Sequence, residues 1–334
     1  MASDLPGPSR SIGSLGEAGL LARLLPRMPA GPSALLGPGD DAAVVAAPDG
    51  RVVATADVLV EGRDFRRDWS SAADVGWKAA AQNLADVAAM GAVPTGLLVS
   101  LAAPDDLEVS WLEGLADGLA ACCARAGTGV VGGDLSGARE VVVAVTALGD
   151  LQGRAPVRRD GARPGDVVAL AGVVGRSAAG LDLLLAGRPG AAPDLVAAHR
   201  RPHPPLAAGP AAALAGATAM LDVSDGLGRD LGRVAAASGV HLDLDGQWYQ
   251  QEVRALLPAA QQLRPDWWDA FGLASRWVLA GGEDHPLLAT FGPDAVLPEP
   301  FVRIGDVRPA LTGWPSVTVE GDVEPALGGW DHFA

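Results

Sequence analysis

Apolar and polar positions follow two rhythms along this chain, and the rhythm changes wherever glycine, proline and aspartate gather. Over residues 11–28, Leu20, Leu21, Leu24 and Leu25 recur at helical spacing and predict an amphipathic helix. "AAVVAA" (42–47), the turn Pro48–Gly50 and "RVVATADVLVEG" (51–62) predict paired strands, with Asp57 inside the second, where a buried carboxylate needs a partner. Residues 71–91 return to helical rhythm. Ser71 and Asp74 resemble a capping box, Trp77, Ala80, Leu84 and Val87 mark a core face, Asn83 and Asp86 share another face, and Gly91 with Pro94 closes the segment. A helix near 107–126 follows, then strands at "TGVVGGD" (128–134) and "REVVVAVTALGD" (139–150). Beyond a loop rich in Gly, Pro and Arg the alternation repeats. "DVVALAG" (166–172) and "ATAMLDV" (217–223) predict strands, 176–187 and 226–239 helices, and "WVLAGGEDHPLLATF" (277–291) a strand, a loop and a returning strand.

This alternation, with 44 glycines and 49% hydrophobic residues leaning on Ala, Val and Leu, predicts α/β architecture. At 334 residues two domains are expected, 1–154 and 155–334. No short tandem repeat is visible. The formal charge of −15 argues against nucleic acid and anionic membrane surfaces as partners. Lys78 is the only lysine, so the other basic side chains are nearly all Arg. Adjacent Cys122 and Cys123 offer neither a bridge nor a metal spacing, no secretion signal is recognisable, and no segment approaches ~18 uninterrupted apolar residues. A cytoplasmic protein is expected.

Charge becomes informative through its placement. Asp41 follows Gly39, Asp57 lies in its strand, Asp134 follows Gly132 and Gly133, and Asp222 with Asp225 brackets "LDVSDGL". Any one of these is ordinary turn chemistry. Together with Asp86 they suit hard cations such as Mg²⁺, which take oxygen ligands and keep phosphates in their shell. Ser224 is placed to cap the helix that follows, and carboxylates beside such an anion-binding helix end call for a cation between them and a phosphate. Two like charges ~4 Å apart repel by ~4 kcal/mol at an effective dielectric near 20. The chain has no P-loop and no kinase-type glycine loop with its catalytic Asp. Arg154, Arg158, Arg159 and Arg163 could reach a phosphate or simply solvate a linker.

The ordered motifs "GPGDDAAVV", "TADVLVEGRDF", "KAAAQNLADVAAMGA", "VVGGD", "LDVSDGL", "AGGEDH" and "GGWDHF" closely resemble the thiamine-monophosphate kinase family, of the aminoimidazole-ribonucleotide-synthetase-like superfamily, across nearly the whole chain. The resemblance implies a two-domain α/β (α+β) fold of the PurM-like kind, with an N-terminal ferredoxin-like dimerising domain, a C-terminal α/β domain and a homodimer. It implies transfer of the γ-phosphoryl of ATP to thiamine monophosphate. It implies several Mg²⁺ held by Asp41, Thr55, Asp57, Asp86, Asp134, Asp222 and Asp225, ATP contacts from Gly133, Asp134, Arg159 and Ser224, and thiamine-side contacts from Glu283 and Trp330. This chain departs from the pattern on the acceptor side. Asp64 stands at the substrate-side histidine, Ala56 at a hydroxyl residue, and His285–Pro286 where Tyr and Glu are common. Those departures keep two alternatives open: a catalytically weakened metal- and nucleotide-binding homologue, and a related enzyme with another acceptor. A calcium-loaded structural protein is disfavoured, since no regular Asp-rich calcium loop appears.

Overall fold

The capping box expected at Ser71 is formed: the Ser71 N–H donates to Asp74 Oδ2 at 2.9 Å and the Asp74 N–H to Ser71 Oγ at 3.2 Å. From it runs helix α2, and Trp77, Ala80, Leu84 and Val87 are all buried. The structure is a computed structural model and describes residues 11–38, 42–310, 316–322 and 328–329. The chain divides into two compact units, one of residues 1–83 and 94–150, the other of 84–93 and 151–334.

In the first unit the elements are α1 (Ile12–Leu24), β1 (Ala34–Leu36), β2 (Val44–Val45), β3 (Val53–Val60), α2 (Ala72–Ala89, whose residues 84–89 belong to the second unit), β4 (Val93–Ala103, whose first residue likewise belongs to the second unit), α3 (Val109–Ala126), β5 (Val130–Gly137) and β6 (Val142–Asp150). The expected pairing of the strands at 42–47 and 51–62 is not found. Instead β2 pairs with β1 and β3 with β6, so the Pro48–Gly50 turn separates two sheets. The main sheet has the order β3-β6-β4-β5, with β4 and β5 parallel across the α3 crossover. One face of this sheet is buried through Val143, Val145 and Ala147. The opposite face carries Ala54, Ala56, Val58 and Leu98, all exposed. Helices α2 and α3 meet backbone to backbone: a Cβ on Gly76 would lie 2.1 Å from Leu115 O, and one on Gly118 2.1 Å from Ala73 O.

In the second unit follow β7 (Val167–Ala171), α4 (Arg176–Leu185), α5 (Pro193–Arg200), α6 (Ala208–Leu214), β8 (Ala219–Asp222), α7 (Leu227–Ser238), β9 (Val240–Leu244), α8 (Gly246–Leu263), α9 (Trp267–Ala280), β10 (Leu287–Phe291), β11 (Val302–Pro309) and β12 (Val317–Val319). Their sheet, β12-β9-β11-β7-β10-β8, is antiparallel except for β12 on β9. Its core gathers Ala88, Ala89, Ala169, Ala212, Met220, Phe291 and Phe301, the two phenylalanine rings meeting edge to face at 5.4 Å. Residues 277–280, expected as strand, close α9 instead. The buried stripe Ala270, Leu273, Ala274, Trp277 and Val278 keeps helical spacing up to Gly281.

Candidate active site

Two loops of the second unit build the site. The first, 223–226, joins β8 to α7, and the second, 281–286, joins α9 to β10; β8 and β10 are neighbours with Asp222 opposite Leu287. The loops are tied by Glu283 N–H to Ser224 O at 2.8 Å and by Val223 N–H to Pro286 O at 2.9 Å. Their approach excludes side chains, since a Cβ on Gly282 would lie 2.2 Å from Ser224 O. Glu283 and His285 hold left-handed φ values of 66° and 54°. Such conformations cost about 1–3 kcal/mol for residues with a side chain, and they persist where surrounding bonds over-determine them, commonly at functional sites.

These bonds bring Asp222, Ser224, Asp225 and Glu283 together. His285 Nδ1 lies 3.1 Å from Asp222 Oδ2. Burial alone would lower the His285 pKa, but the Asp222 bond and the charges of Asp222, Glu283 and Asp86 outweigh it and raise it. Asp86 thus acts on the same point, from the last turns of α2. Asp284 points the other way. Its carboxylate accepts from the N–H groups of Arg176 (3.0 Å) and Ser177 (2.8 Å) at the start of α4, and burial pushes its pKa up to about 7. His199 Nδ1 sits 3.1 Å from Ser177 Oγ and 3.8 Å from Glu283 Oε2. Both of these contacts fall on Nδ1 of the ring.

Ser224 does not cap α7, whose N-cap is Gly226 at φ 117°. Close packing explains it: a Cβ on Gly226 would meet Ala280 O at 2.7 Å. The cap-like bond comes instead from Asp230, whose Oδ2 accepts the Asp225 N–H at 3.0 Å. Asp230 is 0% exposed on the apolar stripe of α7, and burial raises its pKa to about 6. Arg233 bridges Asp230 and Asp225, reaching Asp225 Oδ2 at 2.6 Å. His285 beside Asp222, and Arg233 beside Asp225 and Asp230, thus set protein donors against three of these carboxylates.

Gly329, from the terminal "GGWDHF", reaches the same turn: its Cβ would lie 2.6 Å from Asp225 O and from Arg229 Cβ. Its neighbour Trp330, and Asp41, lie outside the described residues. Arg159 is exposed, and its carbonyl accepts from Ser238 Oγ at 3.0 Å, at the end of α7 remote from Asp225. A helix of α7's length spans about 18 Å. Among its companions, Arg158 pairs with Asp160 and Arg154 donates to Gly91 O.

In the first unit, Thr55 and Asp57 lie on edge strand β3 and Gly133 and Asp134 on the opposite edge strand β5. Asp57 is exposed rather than buried, although Leu59 two residues on in the same strand is buried, and its N–H donates to Asn83 Oδ1 at 3.0 Å. Asp134 pairs in register with Ser100, and a Cβ on Gly133 would meet Val99 O at 2.0 Å, a packing reason for glycine there. Asp64 turns its Oδ2 back to the Val60 N–H at 2.8 Å, while its carbonyl accepts from the buried Lys78 Nζ at 3.3 Å.

Among the described residues no group of three or more His, Cys, Asp or Glu side chains is set to hold a metal. The donor chemistry at Asp86, Asp222 and Asp225, carboxylate oxygen only, fits a hard divalent cation. Sequence reasoning missed Asp230, Arg233, His199 and Asp284. The available signal was Asp230 itself, a carboxylate inside the stripe Leu227, Leu231, Val234.

Residues 39–151 match the family of AIR synthase related protein, N-terminal domain. The thiamine-monophosphate kinase of Mycobacterium tuberculosis is 47% identical over 316 residues, spanning 94% of this chain and 90% of that one. The crystal structure of thiamine-monophosphate kinase from Stenotrophomonas maltophilia K279a superposes with a TM-score of 0.71 at 32% identity, over 91% of this chain and 95% of that one. A structure of AaThiL complexed with AMPPCP and TMP gives 0.72 at 32% identity, over 88% and 91%.

Proposed function

The chain belongs to the thiamine-monophosphate kinase family, and from that premise we propose that it transfers the γ-phosphoryl of ATP in line to the phosphate of thiamine monophosphate, assisted by Mg²⁺. The observation that carries the reading is the bond from Glu283 N–H to Ser224 O, which sets a residue expected on the acceptor side against one expected on the nucleotide side. A structural relative binds AMPPCP and TMP together.

The acceptor phosphate has its second pKa near about 6 and is mostly ionised at neutral pH, so no general base is required. The work is alignment and charge compensation. In this reading Asp86, Asp222 and Asp225, with Asp41, Thr55, Asp57 and Asp134 from the rest of the chain, hold the cations, and none acts as acid or base. Mg²⁺, when bound, neutralises and orients the phosphates. His285 fixes the Asp222 carboxylate, and the strained 281–286 loop presents Glu283. Gly133, Asp134, Arg159 and Ser224 contact ATP, and Trp330 and the segment at Asp64 face the acceptor. Residues 1–154 and 155–334 serve as the two domains of a homodimer. The two free, buried thiols, with Cys122 pushed up to about 12 by burial, suit a reducing cytoplasm.

The test is thiamine diphosphate formation from ATP, Mg²⁺ and thiamine monophosphate by the purified protein. D222N is expected to lower turnover by about two orders of magnitude or more while the thermal melt stays near wild type. Tight ATP binding without product would favour the weakened homologue instead, and full activity in D222N would refute the metal role.

A further inference from the structure

Arg233 is not needed by the chemistry just described, yet it occupies one of its carboxylates. Arg233 Nη2 lies 2.6 Å from Asp225 Oδ2, and Nη1 donates to Asp230 Oδ1. Asp230 Oδ2 accepts the Asp225 backbone N–H at 3.0 Å, which closes a ring around Asp225. The ring has one fixed member and one able to leave. Asp230 is wholly buried on the core stripe of α7. The Arg233 side chain is 36% exposed, so its guanidinium has a route to solvent or to a ligand.

This pairing changes what a cation meets. A divalent ion approaching Asp225 finds a carboxylate already compensated and a permanent positive charge beside it, and at short range their repulsion offsets much of the attraction of one free oxygen. A phosphate reverses the balance. The planar guanidinium fork pairs with phosphate oxygens in two parallel bonds, and a nucleotide brings several negative charges at once.

We propose that Arg233 is the counter-cation of Asp225 in the nucleotide-free protein, and that it exchanges this carboxylate for the phosphates of an incoming nucleotide, freeing Asp225 for the divalent ion. Metal loading at Asp225 is thereby made conditional on nucleotide. The inference rests on the reading of Asp225 as a metal ligand given above.

Mn²⁺ binding, followed by the electron paramagnetic resonance of the free ion, tests it on the full chain with and without a non-hydrolysable ATP analogue. R233Q removes the cation. R233Q/D230N also avoids leaving a buried carboxylate unpaired, and the side-chain amide it introduces can still accept the Asp225 N–H, so the double variant decides if the single one folds poorly. Without nucleotide both are expected to bind Mn²⁺ about tenfold more tightly than wild type, and with the analogue the gap is expected to close to about threefold or less. Unchanged Mn²⁺ affinity in the variants, together with weakened Mn²⁺ binding in D225N, overturns the exchange and leaves the metal role of Asp225 standing. A D225N variant that matches wild type in both conditions overturns the metal role itself.

Discussion

Asp284 shows how one buried carboxylate can position a site without touching its chemistry. It is held by two backbone N–H groups at the start of α4, yet burial is the larger effect and its pKa rises to about 7 from an ordinary 3.8. A carboxyl whose folded pKa is raised stabilises the fold fully below its unfolded pKa, and that contribution is lost as pH climbs through the folded value. The window here runs from about pH 4 to about pH 7, with a slope of at most about 1.4 kcal/mol per pH unit. Relative to wild type, D284N is therefore expected to gain stability steadily across that window and to level off above it, as read from urea denaturation at a series of pH values. A difference that does not change with pH would show that Asp284 is not the titrating group. At the same scale Asp222 and Asp225 were legible in the sequence as acidic turn residues, whereas their partners were not. His285 and Arg233 lie 63 and 8 residues away in the chain, and only folding reveals those pairings.

Helices α2 and α3 carry the corresponding lesson for elements. Their contact is made by glycines whose missing side chains let backbones touch, and the Cβ of an alanine at 118 would stand 2.1 Å from Ala73 O. Backbone cannot yield as a side-chain tip can, so G118A is expected to destabilise the protein by about 2–3 kcal/mol, at the upper end for overpacking, measured by chemical denaturation. A melt indistinguishable from wild type would mean the helices separate freely. Elements with strong local signals were readable in advance: α2 from its capping box and stripe, α7 from its stripe and the left-handed Gly239 that ends it. Two errors share a cause. The strand expected at residues 277–280 is the last turn of α9, and the Pro48–Gly50 hairpin does not form, because a short apolar run fits either secondary structure and pairing partners are chosen by the sheet.

The whole molecule has the AIR-synthetase-like fold of its relatives, and among the described residues one apolar sheet face of its first unit is exposed, Val58 to 50% and Leu98 to 38%. The homodimer proposed above would set a second copy of the same face against this patch. Light scattering coupled to gel filtration is expected to find a dimer for wild type and a monomer for V58D/L98D; a monomeric wild type would remove this reading. The composition of the chain adds one more consequence. Lys78 supplies the protein's only side-chain amine, and it is 3% exposed with its Nζ on the Asp64 carbonyl. Acylating reagents that consume lysine should thus find the native protein nearly inert beyond its amino terminus, and the slow modification that does occur would time the opening of the structure around α2, a clock built into the sequence by the scarcity of one residue.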